Sequence, residues 1–260
     1  TAVSVPAPST VFAPLNAAPP VLPEASSVAG QPDRPTIDRP LRVLIVGDSV
    51  AQTMGRGFER WGPDHNLAVW NRALYYCGFG RDGLYQLGVS ASAPSEACRS
   101  WPDRFAESVQ RFDPDLTVGL VTFWDALPRL LPGRADWVTP GEPAFDEWLH
   151  GEYVAVTNAL TSHGGRGLWL TIPCNQGEAQ SDYYAAVNEV IRGVARERAD
   201  VMSVLPADRL LCDPPDALVN ARGDDGAHFT EAGADAFAVY AGPAVRRLAD
   251  RKSTRLNSSH

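Results

Sequence analysis

A serine, Ser49, closes the stretch LRVLIVGDS, and a histidine, His228, stands near the other end of the chain in DDGAHFTEAGA. A serine hydroxyl is a weak nucleophile until a base takes its proton, and imidazole is the base most suited to that task. Asp225 lies three residues before His228, with Gly226 easing a turn between them. Its carboxylate can accept the second imidazole proton, orienting the ring and supporting an imidazolium. Asp224 is the rival for that place. Together Ser49, Asp225 and His228 form a nucleophile, an orienting acid and a base, a set suited to acyl transfer. Taken singly, each has a structural reading: Asp48 or Ser49 as a helix cap, and His228 as a surface side chain beside acids. His65 sits in a polar turn, His150 and His163 lie on or beside a long helix, and His260 belongs to the terminal tail.

Other chemistries find less support. Gly78-Phe79-Gly80-Arg81-Asp82-Gly83 satisfies the letters GxGxxG, but LYQLGVSASAPSEA follows it, with Gly88 and Pro94 where a dinucleotide site needs a long helix. There is no Walker A, HExxH or EF-hand pattern, and the cysteines are not mixed with histidines as a zinc site requires. No cofactor or metal is expected. The pair Glu142 and Asp146 reads as solvated helix charge rather than as glycosidase acids.

The elements that must bring Ser49 and His228 together alternate along the chain. Leu41 and Val43 to Val46 form an apolar run, four of its residues contiguous, the mark of a strand buried on both faces, and a short helix follows from Ala51 to Trp61. Further strands are expected at 67–74, 116–123, 167–172 and 201–205. Helices are expected at 101–112, 144–163, 182–198 and from Thr230 to about Leu248, the third with a stripe of Tyr183, Val187, Val190, Ile191 and Val194. This alternation predicts an α/β protein with helices on both faces of a parallel sheet of about five strands. Residues 127–143, rich in Pro, Gly and Trp, read as an irregular excursion. In such folds chemistry gathers beyond the carboxyl ends of the strands, where Ser49 would sit.

Of 260 residues, 44% are hydrophobic and 21% charged, and the formal charge is −8 with no basic run. Nucleic acid is therefore not an expected partner, since phosphate binding needs clustered Lys and Arg. No apolar stretch is long enough to span a bilayer. Residues 1–40 hold nine of the 22 prolines and read as an extended arm or linker, part of which could pack through Val11, Phe12 and Leu15. The folded unit is expected over 41–250, and 251–260 reads as a disordered tail whose sequence resembles vector-derived segments. A monomer is expected.

Gly47-Asp48-Ser49 near the start and Asp225-x-x-His228 before the last helix resemble the first and last blocks of the SGNH (GDSL-type) hydrolase superfamily. That resemblance spans roughly 41–248. It implies a flavodoxin-like three-layer α/β/α fold, ester hydrolysis through an acyl-serine, and Ser49, Asp225 and His228 as the triad. The family's oxyanion hole joins the serine N–H, a second-block glycine N–H and a third-block asparagine. Here the resemblance implies Ser49 and Gly78, with Gly80 or Tyr76 as alternatives, and Trp124 stands in the asparagine's place. A missing donor costs roughly 3 kcal/mol of transition-state stabilisation.

The variant blocks are similar to SGNH domains attached to bacterial membrane acyltransferases that O-acylate surface glycans. This similarity implies a secreted or extracytoplasmic protein, free or associated with a membrane acyltransferase through the arm. The expected substrates are small acyl esters, notably acetyl, on a glycan or other polar carrier. The acceptor would be water or a sugar hydroxyl, and a non-catalytic glycan-binding domain is the third reading. Trp124, Asp125 and Trp137 are candidate substrate contacts, Trp137 by stacking on a sugar face. Four cysteines allow three pairings. Because strand carboxyl ends gather on one edge, Cys77–Cys98 and Cys174–Cys212 are the expected bonds.

Overall fold

The computed structural model describes residues 39–178 and 180–256, with backbone alone over 251–256. The expected arm therefore lies outside the described residues except for Arg39 and Pro40, as do 257–260 of the expected tail. In chain order the elements are β1 (Leu41–Gly47), α1 (Ser49–Trp61), β2 (Leu67–Asn71), β3 (Leu84–Leu87), β4 (Ser90–Ser92), α2 (Glu96–Arg99) and α3 (Trp101–Phe112). Then follow β5 (Leu116–Leu120), β6 (Arg129–Leu130), α4 (Pro143–Thr161), β7 (Arg166–Leu170), α5 (Asp182–Glu197), β8 (Met202–Leu205), α6 (Ala207–Cys212) and α7 (Glu231–Leu256).

Five strands form one parallel sheet in the order β2-β1-β5-β7-β8. Counted along the sheet's own strands this is 2-1-3-4-5, the flavodoxin-like order, whose switch point lies beside β1. The apolar run of β1 is explained by its two faces. Val43 and Ile45 pack in one core with Met54 and Phe58 of α1 and Phe237, Ala241 and Val245 of α7. Leu44 and Val46 pack in the other with Phe105 of α3, Leu149 and Val156 of α4, and Val187 and Ile191 of α5. Three layers result, and each buried branched or aromatic side chain contributes on the order of 1.5–3 kcal/mol.

Some expectations shift. The strand expected at 67–74 ends at Asn71, and that expected at 116–123 ends at Leu120, because the chain then turns into the functional edge. The last helix continues to Leu256. Tyr183, expected on the buried stripe of α5, is exposed in the first turn of that helix. A second sheet, order β4-β3-β6, is antiparallel and joins the two strands that follow β2 in the chain to the short strand that follows β5. Among the described residues no helix is long and apolar enough to cross a membrane.

Candidate active site

The turn from β1 into α1 needs a residue without a side chain. Gly47 has φ +136°, and a Cβ there would lie 1.7 Å from the Leu120 carbonyl oxygen. Asp48 and Ser49 then divide two roles that the sequence left open. Asp48 is the cap: its Oδ1 accepts from Val50 N (2.9 Å) and Ala51 N (3.4 Å), while its backbone oxygen accepts from Gln52 N. Its Oδ2 accepts from both the N–H and the hydroxyl of Thr122, each at 2.7 Å, tying the end of β1 to the end of β5. Burial raises the Asp48 carboxyl above its ordinary value against the pull of those bonds. Of the first four N–H groups of α1, that of Ser49 alone has no acceptor among the described residues.

Ser49 Oγ lies 2.7 Å from His228 Nε2, and His228 Nδ1 lies 2.6 Å from Asp225 Oδ2. The carboxylate can only accept, so Nδ1 carries the proton and Nε2 is left to accept from the serine hydroxyl. Asp225 Oδ1 takes the N–H groups of Ala227 (2.9 Å) and His228 (3.0 Å), which fixes the carboxylate against its own loop. Burial pushes the Asp225 carboxyl upward, but the bonds from the His228 ring and these two N–H groups outweigh it and hold it below its ordinary value. Gly226, at φ +70°, makes the tight turn, and the loop is closed by an antiparallel bridge between Arg222 and Phe229. Asp224 is exposed with no partner among the described residues, so Asp225 is the acid that meets His228.

The three side chains line a cavity of about 300 Å³ whose walls include Tyr76, Phe123, Trp124, Asn175, Tyr184 and Arg222. Gly78 does not line it, whereas Tyr76 does. Tyr76 has a left-handed backbone, φ 64°, uncommon for a bulky residue and tolerated only where surrounding structure enforces it. Two clamps do so. Cys77 is bonded to Cys98, with Cα atoms 5.0 Å apart, and Asp125 accepts from Phe79 N and Gly80 N, each at 3.0 Å. Gly80 is thereby removed as an oxyanion donor, and the GxGxxG stretch has neither of these N–H groups to spare for a phosphate.

Asp125 was expected to touch substrate. It is fully buried instead, so it positions the turn. Burial raises its carboxyl, opposed by the Gly80 N–H, the charge of Arg129 and the Phe79 N–H. Trp137 does not line the cavity, because its segment follows β6 and pairs through Val138 with Arg129. Trp124 does line it, with its ring edge-on to Tyr76 at 5.8 Å and Tyr85 at 5.6 Å. Cys174, bonded to Cys212 with Cα atoms 5.4 Å apart, also faces the cavity. Asn175, Tyr184 and Arg222 escaped the sequence reading. Arg222 is buried and donates to the carbonyls of Leu211 (2.6 Å) and Cys174, holding the two disulfide-bearing segments together. Among the described residues no group of acids, histidines and cysteines is arranged to hold a metal ion.

A family model described as "Protein of unknown function (DUF459)" matches residues 42–243. No curated protein matches the chain by sequence. Among solved structures, an acetyl xylan esterase is 17% identical, with TM-score 0.51, over 79% of this chain and 100% of that one. A GDSL-like lipase from Bacteroides thetaiotaomicron is 13% identical, with TM-score 0.50, over 79% and 88%. The periplasmic domain of a lipopolysaccharide acetyltransferase from Salmonella ser. Paratyphi A is 10% identical, with TM-score 0.50, over 81% and 85%. The shared architecture is the three-layer SGNH-hydrolase fold.

Proposed function

The chain belongs to the DUF459 family, and from the geometry of its site we propose that it is an SGNH-type serine esterase acting on small acyl esters. The observation that carries this reading is the continuous hydrogen-bonded line Ser49 Oγ, His228 Nε2, His228 Nδ1, Asp225 Oδ2, at 2.7 and 2.6 Å. Ser49 Oγ attacks the ester carbonyl carbon as its proton passes to His228 Nε2, and the imidazolium is stabilised by Asp225. The oxyanion meets the unpaired N–H of Ser49 at the start of α1 and the N–H of Tyr76 in the clamped turn. His228 then protonates the leaving alkoxide oxygen as the carbon–oxygen bond breaks, leaving an acyl-serine. A second hydroxyl group, deprotonated by His228, attacks that ester, and the proton returns to Ser49 Oγ as the serine is released.

If the second hydroxyl is water the product is an acid, and if it is a sugar hydroxyl the product is a new ester. The acetyl xylan esterase among the structural likenesses supports the first outcome and the lipopolysaccharide acetyltransferase domain supports the second. Acetyl on a carbohydrate is the substrate this reading favours. Two disulfides support an extracytoplasmic setting, where such bonds persist. Hydrolysis of p-nitrophenyl acetate tests the reading: it should be measurable in the wild type and fall at least about 10³-fold in Ser49→Ala. Equal rates in the two proteins would refute it.

A further inference from the structure

The cavity at Ser49 does not end at its own wall. A second cavity of about 250 Å³ adjoins it and shares Phe123, Asn175 and Tyr184 with it. Its remaining lining comes from 126–128, Glu178, and Ser181 and Tyr183 at the start of α5. Small-molecule sites run to roughly 300–1,000 Å³, so the first cavity alone stands at the floor of that range and the two together fall well inside it.

The second cavity has the lining of a site for a hydroxyl-bearing ring. Among the described residues four aromatic side chains are exposed: Tyr75, Tyr76, Phe123 and Tyr183. Tyr76, Phe123 and Tyr183 line one or both cavities, and Tyr75 lies against Tyr76 with ring centroids 6.1 Å apart. Scattered exposed aromatics need no explanation, but here three of the four line the two adjoining cavities. Aromatic faces carry partial negative charge and suit the C–H face of a pyranose, while its hydroxyl edge needs polar partners. Asn175 Nδ2 donates to Glu178 Oε2 at 3.0 Å. The Asn175 amide oxygen and Glu178 Oε1 have no protein partner among the described residues. A long acyl chain would meet a carboxylate there, at a desolvation cost that a polyol avoids.

We propose that the natural substrate is an oligomeric glycan, with the ester-bearing unit in the Ser49 cavity and a neighbouring sugar unit in the cavity walled by Phe123, Tyr183 and Tyr184. This rests on the esterase reading and adds that the enzyme measures the length of the carrier. The test uses the full chain with O-acetylated xylo-oligosaccharides of one to four units and with p-nitrophenyl acetate. kcat/KM should rise about tenfold or more from the monosaccharide to the longer members. Tyr183→Ala should cut the ratio of tetrasaccharide to p-nitrophenyl acetate kcat/KM at least about fivefold, mainly through KM, and Tyr183→Phe, which keeps the ring, should restore it. A flat length series, or a Tyr183→Ala variant that lowers every substrate equally, overturns the proposal while leaving the esterase reading standing. A preference for long-chain p-nitrophenyl esters over every saccharide also overturns it, by assigning the second cavity to the acyl chain. Absence of hydrolysis of p-nitrophenyl acetate itself overturns both readings.

Discussion

Replacing Asp125 by alanine removes the carboxylate that accepts from two successive N–H groups of the turn after β2. Its two oxygens satisfy the buried N–H groups of Phe79 and Gly80, each at 3.0 Å. Each orphaned donor costs about 1–3 kcal/mol, so the pair amounts to about 2–6 kcal/mol. Two further effects oppose each other. Burial raises the Asp125 carboxyl, and losing that ion relieves a desolvation cost. Arg129, however, is buried nearby, is lowered by burial, and has the charge of Asp125 as its largest counterweight. Its cation would then be left less compensated. With these offsetting, Asp125→Ala is expected to lose about 4 kcal/mol, a large share of the roughly 5–15 kcal/mol a domain holds. Urea unfolding should show a lower midpoint with an unchanged slope, read beside kcat for p-nitrophenyl acetate. kcat should fall more than KM rises, because in the proposed mechanism the turn presents the Tyr76 N–H to the oxyanion. Asp125→Asn, which keeps one acceptor, should lie between. A loss below about 1 kcal/mol with unchanged kcat would refute the clamp.

Asp225→Asn should reduce kcat about 10²–10⁴-fold, while Asp224→Asn stays within about twofold of wild type; the reverse order in a steady-state comparison would exchange their roles. The folded Asp225 carboxyl lies below its ordinary value, so its stabilisation is present above an unfolded value of about 3.9 and is lost as pH falls through the lower folded value. The urea midpoints of wild type and Asp225→Asn should therefore converge below about pH 4; a gap that widens in acid would contradict the sign. Serine pairs replacing Cys77–Cys98 or Cys174–Cys212 should each cost about 2–4 kcal/mol in thermal or urea unfolding, the closed segments being 21 and 38 residues apart in sequence. Loss of the first bond should reduce turnover more than loss of the second, because it alone anchors the turn carrying Tyr76; equal losses would argue that the turn is held by Asp125 alone.

The parallel sheet was legible because a strand buried on two faces must be apolar at consecutive positions, as at 43–46, and its helices must carry stripes. The Ser49, Asp225 and His228 juxtaposition was legible because each partner sits in a local signature: a glycine turn at a strand end, and an acid three residues before a histidine. What was not legible depends on partners distant in sequence. Asp125 holds N–H groups 45 and 46 residues away, a relation that no periodicity encodes. Asp48 binds Thr122 across 74 residues in the same manner. The strands β3 and β4 of the small sheet are short and largely exposed, so they carry no apolar alternation. Gly78 is the oxyanion donor that the family resemblance implies, with Gly80 or Tyr76 as alternatives, and nothing local in the sequence separates them. Tyr76 lines the cavity with a left-handed backbone held by the disulfide and the Asp125 clamp, contacts made by residues distant in sequence.

The most direct test of the central claim is to catch the acyl group on its nucleophile. Protein mixed rapidly with p-nitrophenyl acetate and quenched in acid should show, by intact mass, one added acetyl group, and peptide mapping should assign it to Ser49. His228→Ala and Ser49→Ala should not accumulate that adduct. An acetyl group found elsewhere, or release of p-nitrophenol from Ser49→Ala at the wild-type rate, would contradict the assignment of Ser49 as nucleophile.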